Sequence, residues 1–440
     1  MRMATRRPRS LKLLALGVVA LLASLVLAAC GGDDGGDSGD GGGEADSNEP
    51  IKVGITSAKS GPMEPFDRQG SQALIMRLEE INEEGGVDGR KFEWEWLDTE
   101  SDRARTGTNA RELIDQGADV IVASCDFDFA FPALQVAMEE GVLGMALCAS
   151  APVVADPKTV GETGGSMGQG ADAEAVAMAD YLKKEFPDWK TAYVVTDTFL
   201  QYNQQTANYF RARWEELGGE ICGEDEFVGD ETLDLAPHIT RLKQVADKCD
   251  VIYVGSVVPT GAEYVRAARQ AGIDNVFATN VGVNGKTVRE VAGKVSDFYT
   301  LSHECLPAYC DGAKQDVKEL NKKYQERWDE PMFESYAIVP YDLGGVIAEA
   351  FRAAGGSTDG TEVAQALFND GLVVETVIGG PMTFTAECHR PQPAAFDIEL
   401  WTNGQAKKVD EQRVTEIPDI GDGNTCTNVP EAPDGGGAEE

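Results

Sequence analysis

Three stretches of this chain carry residue types whose spacing could do chemistry. Gly164-Gly165-Ser166-Met167-Gly168 has the G-x-S-x-G spacing of a nucleophile elbow, in which a serine stands on a tight turn between a strand and a helix. The residues before it, Asp156 to Thr163, have no strand pattern, and none of the chain's 3 histidines is placed near it by sequence. The segment reads instead as a glycine-rich hinge. Gly165, Gly168 and Gly170 fall as G-x-x-G-x-G, the wrong order for a dinucleotide loop, and no apolar strand leads into them. His303-Glu304-Cys305 with Cys310 offers metal-binding side chains, but the spacing is no recognised zinc frame, and nearby thiols in an oxidising compartment pair with each other. No nucleophile, base or metal set remains. The sequence therefore predicts a protein that is not an enzyme and has no cofactor and no metal.

The first thirty residues form an address. Arg2, Arg6, Arg7, Arg9 and Lys12 make a positive region, and Leu13 to Ala29 an apolar run. Leu27-Ala28-Ala29-Cys30 resembles a bacterial lipobox. That resemblance implies a signal peptide over 1–29 and a diacylated Cys30 as the new first residue, two acyl chains being enough for stable anchoring. An uncleaved membrane-spanning anchor is the alternative. Residues 30–50 are Gly, Asp, Ser and Glu with almost nothing apolar, so they cannot offset their ordering entropy by burial and are expected to be a flexible tether. Residues 427–440 are expected to be a disordered tail of the same character.

Without Cys30 eight cysteines remain, an even set that suits disulfides. Cys125 and Cys148 end successive strands, Cys305 and Cys310 bracket a short loop, and Cys388 and Cys426 share the C-terminal region. That leaves Cys222 and Cys249. Nearest-neighbour pairing is the expectation.

A formal charge of -37, with no cluster of Lys and Arg beyond Arg9, excludes nucleic acid as a partner, since phosphate binding needs clustered cations. Acidity spread along the whole chain reads as solubility. At 440 residues the chain is long enough for two domains of ordinary size. Trp94, Trp96 and the other scattered aromatics read as core.

The elements that would position any site alternate. Ile51, Val53 and Ile55 mark a strand that ends at Ser60-Gly61-Pro62, and Leu74, Leu78 and Ile81 then keep helical spacing as far as Gly85-Gly86. This strand-loop-helix unit recurs, which predicts parallel sheets with helices on both faces. The fold class is α/β, with two doubly wound Rossmann-like lobes. Lobe one is expected over 51–166 plus 303–384 and lobe two over 167–302 plus 385–426, with three hinge crossings near 167, 302 and 384. Phe396 to Trp401 should return as a strand to lobe two. Ligands of such sheets sit at the carboxyl ends of the strands, and a cleft between lobes is the default site for a small molecule. The loops that would converge there are Ser60 to Phe66, Cys125 to Asp128 and Ala149 to Pro152 from lobe one. Lobe two offers Phe199 to Tyr202, Ser256 to Pro259 and Asn280 to Val283.

Ile51-Lys52-Val53-Gly54 through Ser60-Gly61-Pro62, with Ile121-Val122-Ala123-Ser124-Cys125, Gln201-Tyr202, Tyr253-Val254-Gly255, Phe277-Ala278-Thr279-Asn280 and Val377-Ile378-Gly379-Gly380, resembles the leucine/isoleucine/valine-binding proteins that feed bacterial importers. The resemblance runs to Trp401. It implies the type 1 periplasmic-binding-protein fold, a solute trap that closes on a small molecule and docks on the permease subunits of an ABC-type importer. With the lipobox it implies a lipid-anchored, monomeric protein on the outer face of the bacterial cytoplasmic membrane. A ligand-sensing surface lipoprotein without a transport role is the alternative. Carried over by position, the ligand-binding candidates are Ser60, Phe66, Asp126, Ser150, Ala151, Tyr202, Val257, Asn280 and Val281.

The grip such proteins use on an amino acid is only partly kept. Asp126 stands where a small hydroxyl residue is usual, Pro152 near the usual Ser or Thr, Val257 in place of an aromatic, and Val281 about where an acid meets the ligand's ammonium. Phe66 and Tyr202 keep the aromatic walls. An acid beside a carboxylate repels it, and a missing acid leaves an ammonium unpaired. The expected ligand is therefore not a zwitterionic amino acid. Asp126 has a second reading, as a capping carboxylate for the helix that follows.

Overall fold

The computed structural model describes residues 49–230 and 232–431. The signal peptide, Cys30 and most of the tether lie outside the described residues, as does most of the tail. Among the described residues no helix is long and apolar enough to cross a membrane.

Lobe one begins with β1 (Ile51–Ser57), α1 (Glu64–Glu83), β2 (Phe92–Asp98), α2 (Arg103–Asp115), β3 (Val120–Ala123), α3 (Phe127–Glu140) and β4 (Leu143–Ala146). A short α4 (Pro157–Val160) and β5 (Gly164–Ser166) follow. The strands form a parallel sheet in the order β2-β1-β3-β4-β5. Ile51, Val53 and Ile55 of β1 are buried in one apolar cluster with Leu74, Leu78 and Ile81 of α1. Some helix starts carry a side-chain cap, as where Asp102 accepts from the N–H groups of Ala104 (2.8 Å) and Arg105 (3.1 Å) at the head of α2.

Lobe two contains α5 (Ala171–Glu185), β6 (Thr191–Asp197), α6 (Gln201–Glu216), β7 (Glu220–Phe227), α7 (Ala236–Lys243), β8 (Val251–Gly255), α8 (Thr260–Gln270), β9 (Val276–Thr279), α9 (Gly285–Ala292) and β10 (Phe298–Ser302). β11 (Cys310–Asp311) comes next. The chain then runs through α10 (Gln315–Trp328), α11 (Val339–Ala353), α12 (Gly360–Ala364), β12 (Val373–Thr376), β13 (Gly380–Thr385), β14 (Cys388–Gln392), β15 (Ala395–Thr402) and β16 (Gln405–Arg413). The eight-stranded sheet has the order β11-β16-β15-β10-β9-β8-β6-β7, and β12-β13-β14 form a small separate sheet. The face of Tyr253 stacks on Phe210 at 3.9 Å inside this lobe.

α10 and α11 return to lobe one. Arg327 pairs with Glu79, Tyr324 Oη donates to Gln72, and Tyr341 Oη donates to Glu80, all on α1. β15 lies antiparallel to β10 in lobe two. Three points differ from the sequence expectation. The glycine-rich segment 164–168 is more than a hinge, because β5 joins the lobe-one sheet through backbone hydrogen bonds to β4, a pairing that Gly-Gly-Ser does not advertise in its side chains. The loop 303–311, expected in lobe one, stays with lobe two because β11 pairs with β16. β14, expected in lobe two, stays with lobe one, where His389 Nδ1 meets the Gly164 carbonyl at 2.7 Å. The second and third crossings thus fall between Asp311 and Gln315 and between Gln392 and Ala395.

The eight cysteines form Cys125–Cys148, Cys222–Cys249, Cys305–Cys310 and Cys388–Cys426. The last one straps the C-terminal segment across the hinge. Asp422 of this segment accepts from Tyr209 of lobe two, while Cys426 packs with Cys388 and Ala155 of lobe one.

Candidate functional site

The carboxyl ends of the two sheets face each other across a cavity. Met63 and Phe66 reach it from the β1 end, Asp126 from β3 and Ser150 from β4. Leu200 and Tyr202 follow β6, Val257 follows β8, Val281 and Gly282 follow β9, and His303 follows β10. Tyr336, in the turn before α11, and Glu174, in the first turn of α5, complete the wall together with the Cys125–Cys148 disulfide. The cavity has about 50 Å³ open to the centres of water-sized atoms, several times the roughly 10–15 Å³ that one water requires. The lobes are shut around it. Gln201 N donates to Asp128 Oδ2 at 3.0 Å and Thr287 Oγ1 donates to Glu334 Oε1 at 2.7 Å, each bond joining one lobe to the other.

Apolar and aromatic surface dominates the walls. Phe66 stacks on Tyr336 with ring centroids 5.0 Å apart, which fixes the lobe-one face. On the lobe-two face Tyr202 is tied down by its hydroxyl, which donates to Glu174 Oε2 at 2.5 Å and accepts from Gly282 N at 3.0 Å. The same Glu174 oxygen accepts from Val281 N at 3.0 Å. A Cβ on Gly282 would stand 2.8 Å from Val257 Cγ1 and 2.9 Å from Tyr202 Cε1, so glycine is what lets this loop approach the ring.

Two carboxyl groups end in this apolar setting. Burial pushes Glu174 up to about 7, against the pull of the Tyr202 hydroxyl and the Val281 N–H. Asp126 is also pushed up to about 7, first by burial and then by the neighbouring Asp128, with Arg103 acting in the opposite direction. Burial alone brings His303 down to about 3, so the imidazole is neutral. Asp67, behind the lobe-one wall, holds the loops together instead: it accepts from Ala58 N, Ser124 Oγ and Cys125 N at 2.8 to 3.0 Å.

Of the residues named from sequence, Phe66, Asp126, Ser150, Tyr202, Val257 and Val281 are brought together here. Asp126 is also the cap of α3, accepting from Asp128 N at 2.9 Å with Oδ1. Three candidates lie elsewhere. Ser60 is exposed and donates to Asp98 at 3.1 Å, because the turn at Gly61 carries it toward the β2 edge. Ala151 faces away from Ser150 into the apolar cluster under α3. Asn280 alternates with Val281 and points to α6, donating to Thr206 Oγ1 at 3.0 Å. The sequence reading missed Glu174 and Tyr336 and weighed His303 only as a metal ligand. A signal for Glu174 existed, an acid embedded in the alanine-rich run Ala171-Asp172-Ala173-Glu174-Ala175-Val176.

Cys305, Cys310 and Ser166 are each engaged in holding the fold. Cys305 and Cys310 are bonded to each other beside Glu399, so neither offers a thiolate. The Ser166 hydroxyl donates to the Ala149 carbonyl at 2.6 Å and accepts from Gly168 N at 3.1 Å, which leaves it locking the hinge backbone.

Comparison with known proteins points to one family. A family model described as periplasmic binding protein matches residues 50–404. The chain is 26% identical over 358 residues to the Leu/Ile/Val-binding protein homolog 3 of Brucella melitensis, covering 81% of this chain and 92% of that one. It is 25% identical over 324 residues to a leucine-, isoleucine-, valine-, threonine- and alanine-binding protein of Pseudomonas aeruginosa, covering 72% and 82%. Among solved structures, the branched-chain amino acid transporter substrate-binding protein LivJ of Streptococcus pneumoniae, in complex with isoleucine, superposes with a TM-score of 0.70 at 21% identity, over 83% of this chain and 99% of that chain. An ABC transporter solute-binding protein of R. palustris in complex with benzoate gives 0.69 at 17% identity, over 83% and 97%. With the two doubly wound lobes and three crossings of the type 1 periplasmic-binding-protein fold, this chain belongs to the periplasmic binding protein family.

Proposed function

We propose that this protein captures a small solute in the cavity between its lobes and delivers it to the permease of an ABC-type importer of the branched-chain amino acid class. The observation that carries the reading is the cavity itself, enclosed by loops from the carboxyl ends of both sheets and walled by Phe66, Tyr336 and Tyr202. Relatives named for leucine, isoleucine and valine binding support a transport role, while a neighbour holding benzoate supports a ligand outside that set. The ligand is a partly apolar molecule that is not a zwitterionic amino acid. Its binders are Phe66, Asp126, Ser150, Tyr202, Val257 and Val281, with Glu174, His303 and Tyr336 added. Lobe one comprises 51–166 with the α10-to-β14 segment, and lobe two 167–311 with β15 and β16.

The protein acts as a monomer held at the outer face of the cytoplasmic membrane through a lipid on Cys30. Membrane association should be lost in Cys30→Ser, and a variant that stays bound as the parent does would refute the anchor. For the site, calorimetry with leucine, isoleucine, valine and a library of small apolar amines, amides and alcohols is the test. Tyr202→Ala removes one wall of the closed state and should weaken binding by about 1–3 kcal/mol through lost burial. Micromolar binding of the three amino acids, undiminished by that change, would sink both the ligand class and the placement.

A further inference from the structure

We infer that the cavity is shaped for a small organic cation without a free carboxylate, an amine whose charge is met by Glu174 from lobe two and Asp126 from lobe one. The inference rests on the solute-capture reading and specifies the ligand's charge.

Two carboxyl groups line the cavity, and among the described residues no Lys or Arg does. Each acid is hydrogen-bonded by neutral donors alone. Glu174 Oε2 accepts from Tyr202 Oη and Val281 N, and the Ser150 hydroxyl lies within hydrogen-bonding reach of the same carboxyl group. The Ser150 hydroxyl has two acceptors in reach, the Cys148 carbonyl at 3.3 Å and the Glu174 carboxyl, and it too is a neutral group. Asp126 Oδ1 accepts from Asp128 N, and Oδ2 accepts nothing among the described residues. A third group points independently to a ligand. His303 lines the same cavity, is 2% exposed, and its buried Nδ1 has no partner. A neutral imidazole always keeps one nitrogen as an acceptor. The Tyr336 hydroxyl, also buried and without a partner, lines the cavity too, so the polar inventory holds two acids and neutral groups and lacks a cation.

A ligand carboxylate would enter this site against two like charges and meet no Arg or Lys, which is unfavourable in a dry cavity. The nearby guanidinium of Arg103 is exposed, lies over the Phe129 ring at 4.7 Å and does not line the cavity. An ammonium would supply the missing positive charge and up to three donors to the two carboxyl groups.

The titration behaviour gives a second handle. Asp126 is faced by Asp128, Asp67 and Arg103, and Glu174 by Asp172, Tyr202, Tyr253 and the neutral His303. With both acids titrating near 7, a cation binds the ionised forms, so its affinity falls as pH drops below about 7. A neutral acceptor ligand would bind the protonated forms and tighten over the same range.

The test uses three probes of one shape on the full chain in detergent, by calorimetry at pH 8 and pH 6: 3-methylbutylamine, leucine and 4-methylpentanoate. The amine should bind tightest, weaken on the order of tenfold to a hundredfold at pH 6, and lose at least about tenfold in Glu174→Gln and in Asp126→Asn. The second variant guards against misfolding of the first. Stronger binding of leucine or of the acid, or amine binding that tightens at pH 6, overturns the inference and leaves solute capture standing. Binding of none of the three rejects the amine assignment, and solute capture is then judged by the library screen above.

Discussion

Asp172 and Glu174 stand two residues apart in the first turn of α5, both at most 1% exposed, and meet the cost of burying a carboxylate in opposite ways. Asp172 has a full set of partners. Arg390 grips it with two parallel bonds of 2.7 and 2.8 Å, and Asn424 of the C-terminal strap donates to it as well. Gly170 carries φ +101°, and a Cβ there would collide with the Arg390 guanidinium, so even the backbone makes room for this pair. Glu174 faces the cavity with a phenol, one N–H and the Ser150 hydroxyl for company and no cation. The first acid is part of how the hinge holds together. The second lacks a cation where it faces the cavity, and that contrast is what, on the proposed binding of a cation, separates a structural charge from a binding charge in this molecule.

The comparison breaks if the two acids respond alike when disturbed. Arg390→Met strands the Asp172 carboxylate without its partner and should cost about 3–5 kcal/mol in chemical denaturation, the largest effect expected. The double change Asp172→Asn with Arg390→Met should recover part of that loss. Glu174→Gln should act in the other direction. Glu174 titrates at about 7 in the folded protein against an ordinary 4.5. Between those values the folded state holds a proton that the unfolded chain has released, so stability falls as pH rises through the window and stays lower above it. The glutamine variant removes this term, raising stability by on the order of 2–3 kcal/mol at pH 8 and by little near pH 4. Equal denaturation midpoints for variant and parent across that range would mean that Glu174 is not held as a strained acid.

Much of the architecture was legible because it is written in side-chain periodicity. The apolar run Val120 to Ala123 and the spaced Leu74, Leu78 and Ile81 declare a buried strand and a helix. Cysteines at the ends of successive strands declared neighbours, since parallel strands one crossover apart bring those ends together. The parts that escaped depend on backbone pairing or on three-dimensional convergence. β5 is glycine-rich and pairs only through its main chain, and β11 is two residues long. Their places in the sheets decide where the crossings fall, and neither leaves a pattern. Asp126 could be found because it follows a strand directly. Glu174 left only the weak signal of an acid in an alanine-rich run, since an acid in a first helical turn also reads as a complement to the helix dipole, and nothing local reports that the turn faces a cavity.

The most direct test of solute capture is native mass spectrometry of the full chain purified without refolding, wild type beside the Tyr202→Ala, Glu174→Gln double variant. The wild type should carry a small molecule picked up from its host or medium, and the double variant should be bare. A solute retained undiminished by the double variant, or a wild-type chain that stays bare after exposure to its own spent medium, would contradict the account.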